Sequence, residues 1–245
     1  MNSEQEMKRR TRRDFLVLGA GALTAIGGWE ALMHAPEKDG VPAPLRRMLG
    51  LDRRVTKGLL FSEGHLAPEF SNDRIEAIKV NGKYGLDDEL EMAEWKLQVT
   101  PYGSPSKAVD FNMDDVRKLP KVEHSTQFKC IEGWSKIVHW GGARLSDFTA
   151  RHAPGSEQAR FVGMETPDKE YFVGVDMASA LHPQTLLCYE MNGKPLEEAH
   201  GAPLRLIIPV KYGIKNLKRI GQITYQNDPP RDYWALEGYD YYAGL

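Results

Sequence analysis

The stretch LHPQTLLCYEMNGKPLEEAHGAPLRLIIPVKYGIKNLKRIGQI, Leu181–Ile223, carries most of the information about the fold. Within it Leu186–Met191 is a short apolar run closed by Asn192-Gly193, a dipeptide that reverses a chain because both residues tolerate positive φ. Leu204–Val210 is a second apolar run, and Arg219–Gln226 alternates apolar and polar residues as a half-buried strand does. Working outward, Arg74–Val80 alternates and ends at the turn dipeptide Asn81-Gly82, and Trp95–Val99 alternates too. Gln127–Cys130, Arg160–Glu165 and Tyr171–Val175 also read as strands. Helical signals are fewer. A short helix through Val116 to Leu119 is capped by Asn112 or Asp114 and stopped by Pro120; Arg144–His152 is a second, and Asp176–Leu181 is a turn closed by His182-Pro183. The periods are short, and strands and helices do not alternate in a sustained way. This predicts an α+β fold, a β-rich mixed single domain, rather than a doubly wound nucleotide fold.

The chain has 245 residues, 41% hydrophobic, 27% charged and 9% aromatic, a composition that excludes long disorder, collagen-like repeats and a coiled-coil rod. A formal net charge of −2 leaves no electrostatic footprint for nucleic acid. The charge is unevenly placed. Residues 1–13 carry net +3 through Lys8, Arg9, Arg10, Arg12 and Arg13 against Glu4 and Glu6, and Phe15–Trp29 has no charge over fifteen residues. A basic segment before an apolar run shorter than the roughly 20 residues that span a bilayer reads as an export signal. Thr11-Arg12-Arg13-Asp14-Phe15-Leu16 resembles the twin-arginine signature, which predicts delivery by that export machinery to a periplasmic or extracytoplasmic location. Ala31-Leu32-Met33-His34-Ala35 is a poor cleavage site, so a form tethered to the membrane by an uncleaved signal stays open. The expected organisation is a signal over residues 1–35, a linker or N-terminal extension over 36–60 containing Pro36, Gly40, Pro42 and Pro44, and one domain over 61–245.

The inventory of reactive residues is short. HExxH, CxxC, glycine-rich phosphate loops and the serine nucleophile elbow are all missing from the sequence. Two cysteines remain. Cys188 lies among Leu neighbours and reads as a small buried apolar residue. Cys130 ends a strand-like run beside the Gly133 turn, and three readings compete: a disulfide with Cys188, an inert core thiol, or a soft thiolate ligand for a transition metal.

Phe128-Lys129-Cys130-Ile131-Glu132-Gly133-Trp134-Ser135 resembles the cysteine segment of bacterial molybdopterin oxidoreductases with the sulfite-oxidase fold. The opening stretch is similar to that fold's most recognisable region, through Asn192-Gly193, His200-Gly201-Ala202-Pro203-Leu204-Arg205 and Lys211-Tyr212-Gly213-Ile214-Lys215. The similarity runs from about Asn81 to the end of the chain. It implies the sulfite-oxidase molybdopterin-binding fold, with one molybdenum-molybdopterin per chain and no haem. By the same resemblance Cys130 is the metal ligand and catalytic centre. Asn81, Tyr84 and Gly85 match a first pterin-contacting turn, and Thr166 a pterin-contacting threonine. His200 and Arg205 match polar positions flanking Gly-Ala-Pro, and Asn216, Leu217 and Lys218 a phosphate-side loop.

The chain is similar to exported methionine-sulfoxide reductase catalytic subunits, and it departs from them at His200, where those enzymes carry Asn. Sulfite oxidases carry an arginine just after the ligand cysteine; here Ile131, Glu132 and Gly133 follow, and an acid repels a dianion. The implied activity is two-electron oxygen-atom transfer on a small substrate, with reduction of a sulfoxide- or N-oxide-like group favoured. Electrons would come from a separate carrier, a membrane haem subunit or a soluble cytochrome. The alternatives are a sulfite-oxidising enzyme of the same fold and an exported binding protein that has lost the metal.

Overall fold

The structure is a computed structural model that describes residues 17, 23–38, 41–45, 47–48, 51, 65–86, 94–104 and 106–245. The chain divides into two compact units, Met1–Phe61 and Ser62–Leu245. In the first unit residues 23–33 are helical, with Leu23, Ile26, Trp29 and Met33 exposed, and Glu37–Lys38 pairs antiparallel with Val41–Pro42. Among the described residues no helix is long and apolar enough to cross a membrane. Arg12 and Arg13 lie outside the described residues, as does most of the expected linker.

The second unit contains ten strands and four short α-helices among its described residues: β1 (Leu97–Thr100), β2 (Val109–Phe111), α1 (Met113–Arg117), β3 (Lys121–Lys129), β4 (Ser135–Arg144), α2 (Leu145–His152), β5 (Phe161–Glu165), β6 (Phe172–Asp176), α3 (Met177–Ala180), β7 (Leu186–Met191), β8 (Lys194–Pro195), β9 (Arg205–Ile207), β10 (Gln222–Gln226) and α4 (Tyr233–Leu236). One sheet runs β3-β4-β7, with β8 and β9 pairing successive parts of the free edge of β7. The other runs β2-β1-β10-β5-β6, and its β1–β10 pair is parallel while its other pairs are antiparallel. The β-rich α+β prediction holds.

A single large core draws from both sheets, with Leu97, Val99, Val162, Met164, Val173, Val175, Ile223 and Tyr225 from one and Ala143, Leu187, Tyr189 and Leu206 from the other. Burial of each such aliphatic or aromatic side chain contributes roughly 1.5–3 kcal/mol relative to exposure. The opposite face of the first sheet carries a smaller cluster of Val138, Trp140, Leu186, Cys188 and Ile207, against which Ile78 packs. On the second sheet Gly163 and Gly174 expose bare backbone, and Pro230 closes onto it within 3.0–3.1 Å of where a Cβ would lie. The absent side chains let the C-terminal segment lie flat there.

Several local expectations match. Asn112 caps α1, accepting from the Asp114 and Asp115 N–H groups while the Asp115 carboxylate accepts from the Asn112 N–H. The cap therefore satisfies donors at both ends of the first turn. Asp176 caps α3 in the same sense, accepting from the Ser179 N–H at 3.1 Å. The predicted strand over Arg74–Val80 does not form. Its half-buried residues are Ile75 and Ile78, three apart rather than two, and its backbone makes a single bond to the sheet, Glu76 N–H to Ile137 O at 2.9 Å. The segment is a strap across β3 and β4. Conversely, β4 is one of the longest strands and had no sequence signal, because Gly141 and Gly142 interrupt its alternation. Gly142 is required by packing: a Cβ there would lie 2.7 Å from the Cys188 Cα, where β4 shifts register against β7.

Candidate functional site

β3 delivers Cys130 to its end. The Cys130 N–H donates to Trp134 O at 2.9 Å and the Gly133 N–H to Cys130 O at 3.1 Å, closing a tight turn with Gly133 at φ +90°. Cys130 is 8% exposed, and Ile131 beside it is 38% exposed, so the sulfur lies just beneath an open surface. The Asn81 side-chain amide reaches Cys130 Sγ at 3.7 Å. The Trp134 indole donates to the Glu132 carboxylate at 2.9 Å. That bond first, and Asn81 second, hold the Glu132 carboxyl below the ordinary carboxylate value. An exposed carboxylate therefore stands two residues from the cysteine, with Lys79 close enough to interact with it.

Asn81 is held from below. The Lys218 ammonium donates to Asn81 O at 2.7 Å, Gly82 O at 2.8 Å and Ala199 O at 2.9 Å, using all three of its protons on main-chain carbonyls. Next to Ala199, His200 O accepts from Arg205 Nη1 at 3.0 Å, and Arg205 Nη2 reaches Asn216 O at 3.5 Å. Asn216 in turn accepts the Ile208 N–H with its side-chain oxygen. Gly201, at φ +99°, lets the two loops touch, since a Cβ there would meet the Lys218 Cβ at 2.7 Å. The structure thus joins Cys130, Asn81, Lys218, His200, Arg205 and Asn216 through contiguous contacts.

Gly85 and Thr166 meet separately. A Cβ on Gly85 would lie 2.7 Å from the Thr166 Cβ and 2.8 Å from its Oγ1, and that hydroxyl accepts the Tyr171 N–H at 3.1 Å. Tyr84 is half exposed and packs against Tyr233, with ring centroids 5.2 Å apart and planes tilted by 38°. Leu217 stands apart: its side chain is fully buried in the main core, so only its backbone is at the loop, where its carbonyl accepts from the Leu206 N–H at 2.8 Å.

Arg205 dominates the electrostatics. Its guanidinium is 2% exposed, faces the Trp140 ring at 5.1 Å and the Phe128 ring at 6.0 Å, and donates only to carbonyls. Its Nε is buried without a hydrogen-bond partner among the described residues. Burial lowers its proton affinity, to about 10. Burial, and then Arg205, bring Lys218 down to about 8; burial, then Arg205 and Lys218, also lower His200. A buried cation costs several kcal/mol unless something compensates it, and carbonyl dipoles compensate only in part. Among the described residues no carboxylate is paired with the Arg205 guanidinium.

Among the described residues both cysteines are free, which removes the disulfide reading. Cys188 is fully buried on β7, donates to Glu190 O at 3.1 Å, and burial pushes its thiol up to about 11, as suits an inert core residue. Phe128, Trp140 and Ala199 were not singled out from the sequence. Only Phe128, two residues before Cys130, had a signal that could have found it. A cavity of about 140 Å³ over β5 and β6, lined by Glu165, Phe172, Pro230 and Arg231 among others, contains none of these residues.

The two-sheet domain thus connects a strand-end cysteine, through Asn81, Lys218 and the 199–200 loop, to a buried arginine. Residues 84–234 match the oxidoreductase molybdopterin binding domain family, and the chain belongs to it, as a molybdopterin-binding oxidoreductase. It is 30% identical over 255 residues to the protein-methionine-sulfoxide reductase catalytic subunit of Campylobacter jejuni, covering 96% of this chain and 81% of that one. It is 31% identical over 243 residues to the catalytic subunit of the same name from Xanthomonas campestris, covering 92% and 73%. The sulfane dehydrogenase SoxCD of Paracoccus pantotrophus superposes with a TM-score of 0.52 at 17% identity, over 58% of this chain and 40% of that one. That likeness shows the shared sulfite-oxidase-like fold.

Proposed function

We propose that this chain is an exported molybdenum-cofactor oxidoreductase that reduces a sulfoxide- or N-oxide-like group. The observation that carries the reading is Arg205, a buried guanidinium that among the described residues has an orphaned Nε and no carboxylate partner, linked through Lys218 and Asn81 to a near-surface thiol. Molybdopterin brings a phosphate to meet the cation and a metal to meet the sulfur, so the donor set fits this group. Cys130 would bind molybdenum through its thiolate, a strong soft donor. Arg205, with His200 and the Asn216–Leu217–Lys218 loop, would hold the phosphate side; a planar guanidinium presents fixed donors to phosphate oxygens. Tyr84, Gly85, Asn81 and Thr166 would flank the pterin, one per chain. When bound, the cofactor supplies two-electron chemistry and accepts or donates an oxygen atom; the chain's own groups bind, orient and tune.

The residues around Cys130 bear on substrate choice. Glu132 places a carboxylate two residues from the sulfur and opposes anions, which favours a neutral oxo compound over sulfite. Exposed Ile131, next to Cys130, offers apolar surface beside it. The relatives' names support the sulfoxide reading, and their description as catalytic subunits supports a separate electron carrier, a membrane haem subunit or a soluble cytochrome. Arg12 and Arg13 support export by the twin-arginine route to the periplasm.

The test is a molybdenum assay on protein made with cofactor synthesis intact, joined to turnover with a sulfoxide, an N-oxide and sulfite. The expected result is close to one molybdenum per chain with reduction of the first two. Metal-free protein overturns the enzyme reading, and sulfite oxidation alone reverses the direction. Arg12→Lys with Arg13→Lys should block export; unchanged export refutes the signal.

A further inference from the structure

Lys218 shares the phosphate-side loop with Asn216, where a lysine side chain would ordinarily be assigned to the phosphate. The geometry gives its ammonium another task. Each of its three protons is on a carbonyl at 2.7–2.9 Å, two from the Asn81-Gly82 turn and one from Ala199, and these acceptors are 136, 137 and 19 residues away in sequence. No proton is left for a cofactor oxygen without breaking one of these bonds.

The clamped turn is the one that carries the contact to the cysteine. Asn81 Nδ2 lies 3.7 Å from Cys130 Sγ while Asn81 O is bound by Lys218. Gly82, at φ +70°, makes the turn sharp and leaves its carbonyl free to take the second bond. On the other side, the absence of a Cβ at Gly201 lets the Lys218 backbone approach the 199–201 loop. An N–H group directed at a ligating sulfur draws electron density from it and raises the potential of the metal it holds. The position of Asn81 therefore matters electronically as well as sterically.

We infer that Lys218 is a positioning residue, a three-carbonyl clamp that holds the Asn81 amide on the Cys130 sulfur and thereby sets the reduction potential of the metal bound there. This rests on the reading that Cys130 carries molybdenum. Asn81 is the group that acts on the sulfur; Lys218 acts through it.

The experiment compares holoenzymes of the full chain: wild type, Lys218→Met, Asn81→Leu and the double variant. Each is measured for molybdenum content, for the midpoint potential of the metal by redox titration, and for the sulfur-to-metal charge-transfer band. Both single variants should lower the potential and move the band in the same direction, and the double variant should move neither beyond the larger single change. Lys218→Gln keeps two N–H donors and should show a smaller displacement; it replaces Lys218→Met in the comparison if that variant takes up no metal. A potential and band unchanged by either Lys218 substitution, or additive shifts in the double variant, overturn the inference while the molybdenum content leaves the proposed function standing. A wild-type chain without molybdenum overturns the proposed function, and the inference with it.

Discussion

Replacing Gly85 by alanine perturbs the candidate site through one added carbon. Gly85 sits at φ +75°, where an L side chain costs about 1–2 kcal/mol. The new Cβ would also press into Thr166, 2.7 Å from its Cβ and 2.8 Å from its Oγ1, and overpacking of this kind costs about 1–3 kcal/mol. Together the loss is about 2–5 kcal/mol, a fall in Tm of roughly 5–20 °C for a unit of this size. Gly82 is the internal control: its φ is +70° but none of the described residues lies within 4 Å of its Cβ position, so Gly82→Ala should cost only the backbone share. Urea unfolding at equal m-values separates the two, with Gly85→Ala shifted further by about 1–3 kcal/mol. In a Thr166→Gly background the difference should close. If Gly85→Ala is no worse than Gly82→Ala, or if Thr166→Gly leaves the gap unchanged, the packing argument is wrong.

Three further outcomes follow from the geometry. Cys130→Ala should lose molybdenum while keeping its melting temperature within a few degrees, whereas Cys188→Ala should keep the metal and lose about 1 kcal/mol of stability, read by metal analysis and urea titration together. Asp232→Ala strands the buried Lys215 ammonium and removes the acceptor for the Gly174 and Ala235 N–H groups, so it should cost about 3–5 kcal/mol, and Lys215→Met on top should restore part of that loss in a double-mutant cycle. Burial, only partly offset by Asp115, holds the His152 imidazole below its ordinary 6.5. On acidification the unfolded chain takes up that proton first, so stability should fall as pH drops through 6.5 and the slope should be shallower in His152→Phe, measured by denaturant midpoints from pH 7.5 to 5.

Much of the local structure was readable from the chain. β7 ends at Asn192-Gly193 as the turn dipeptide demands, and the Asn112 cap follows from an Asn placed three residues before an Asp. That Cys188 is a small buried residue also followed from its Leu neighbours. β4 was not readable, because Gly141 and Gly142 exist for contact with β7, and a contact partner more than forty residues away leaves no local period. The Arg74–Val80 segment failed in the opposite sense. Its alternation is a true pattern of residue types, but its backbone finds no continuous neighbour to pair with.

The candidate site divides along the same line. The sequence narrowed the candidates, leaving two cysteines and an arginine before an apolar run, and the resemblance of two of its segments singled out Cys130 and Arg205. How they are connected was decided only by the tertiary structure. Lys218 finds two of its three acceptors on a turn 136 and 137 residues away, and Arg205 is buried with no carboxylate partner among the described residues. Hydrogen bonds and uncompensated charge depend on distance in space, and no periodicity along the chain records which loops will meet.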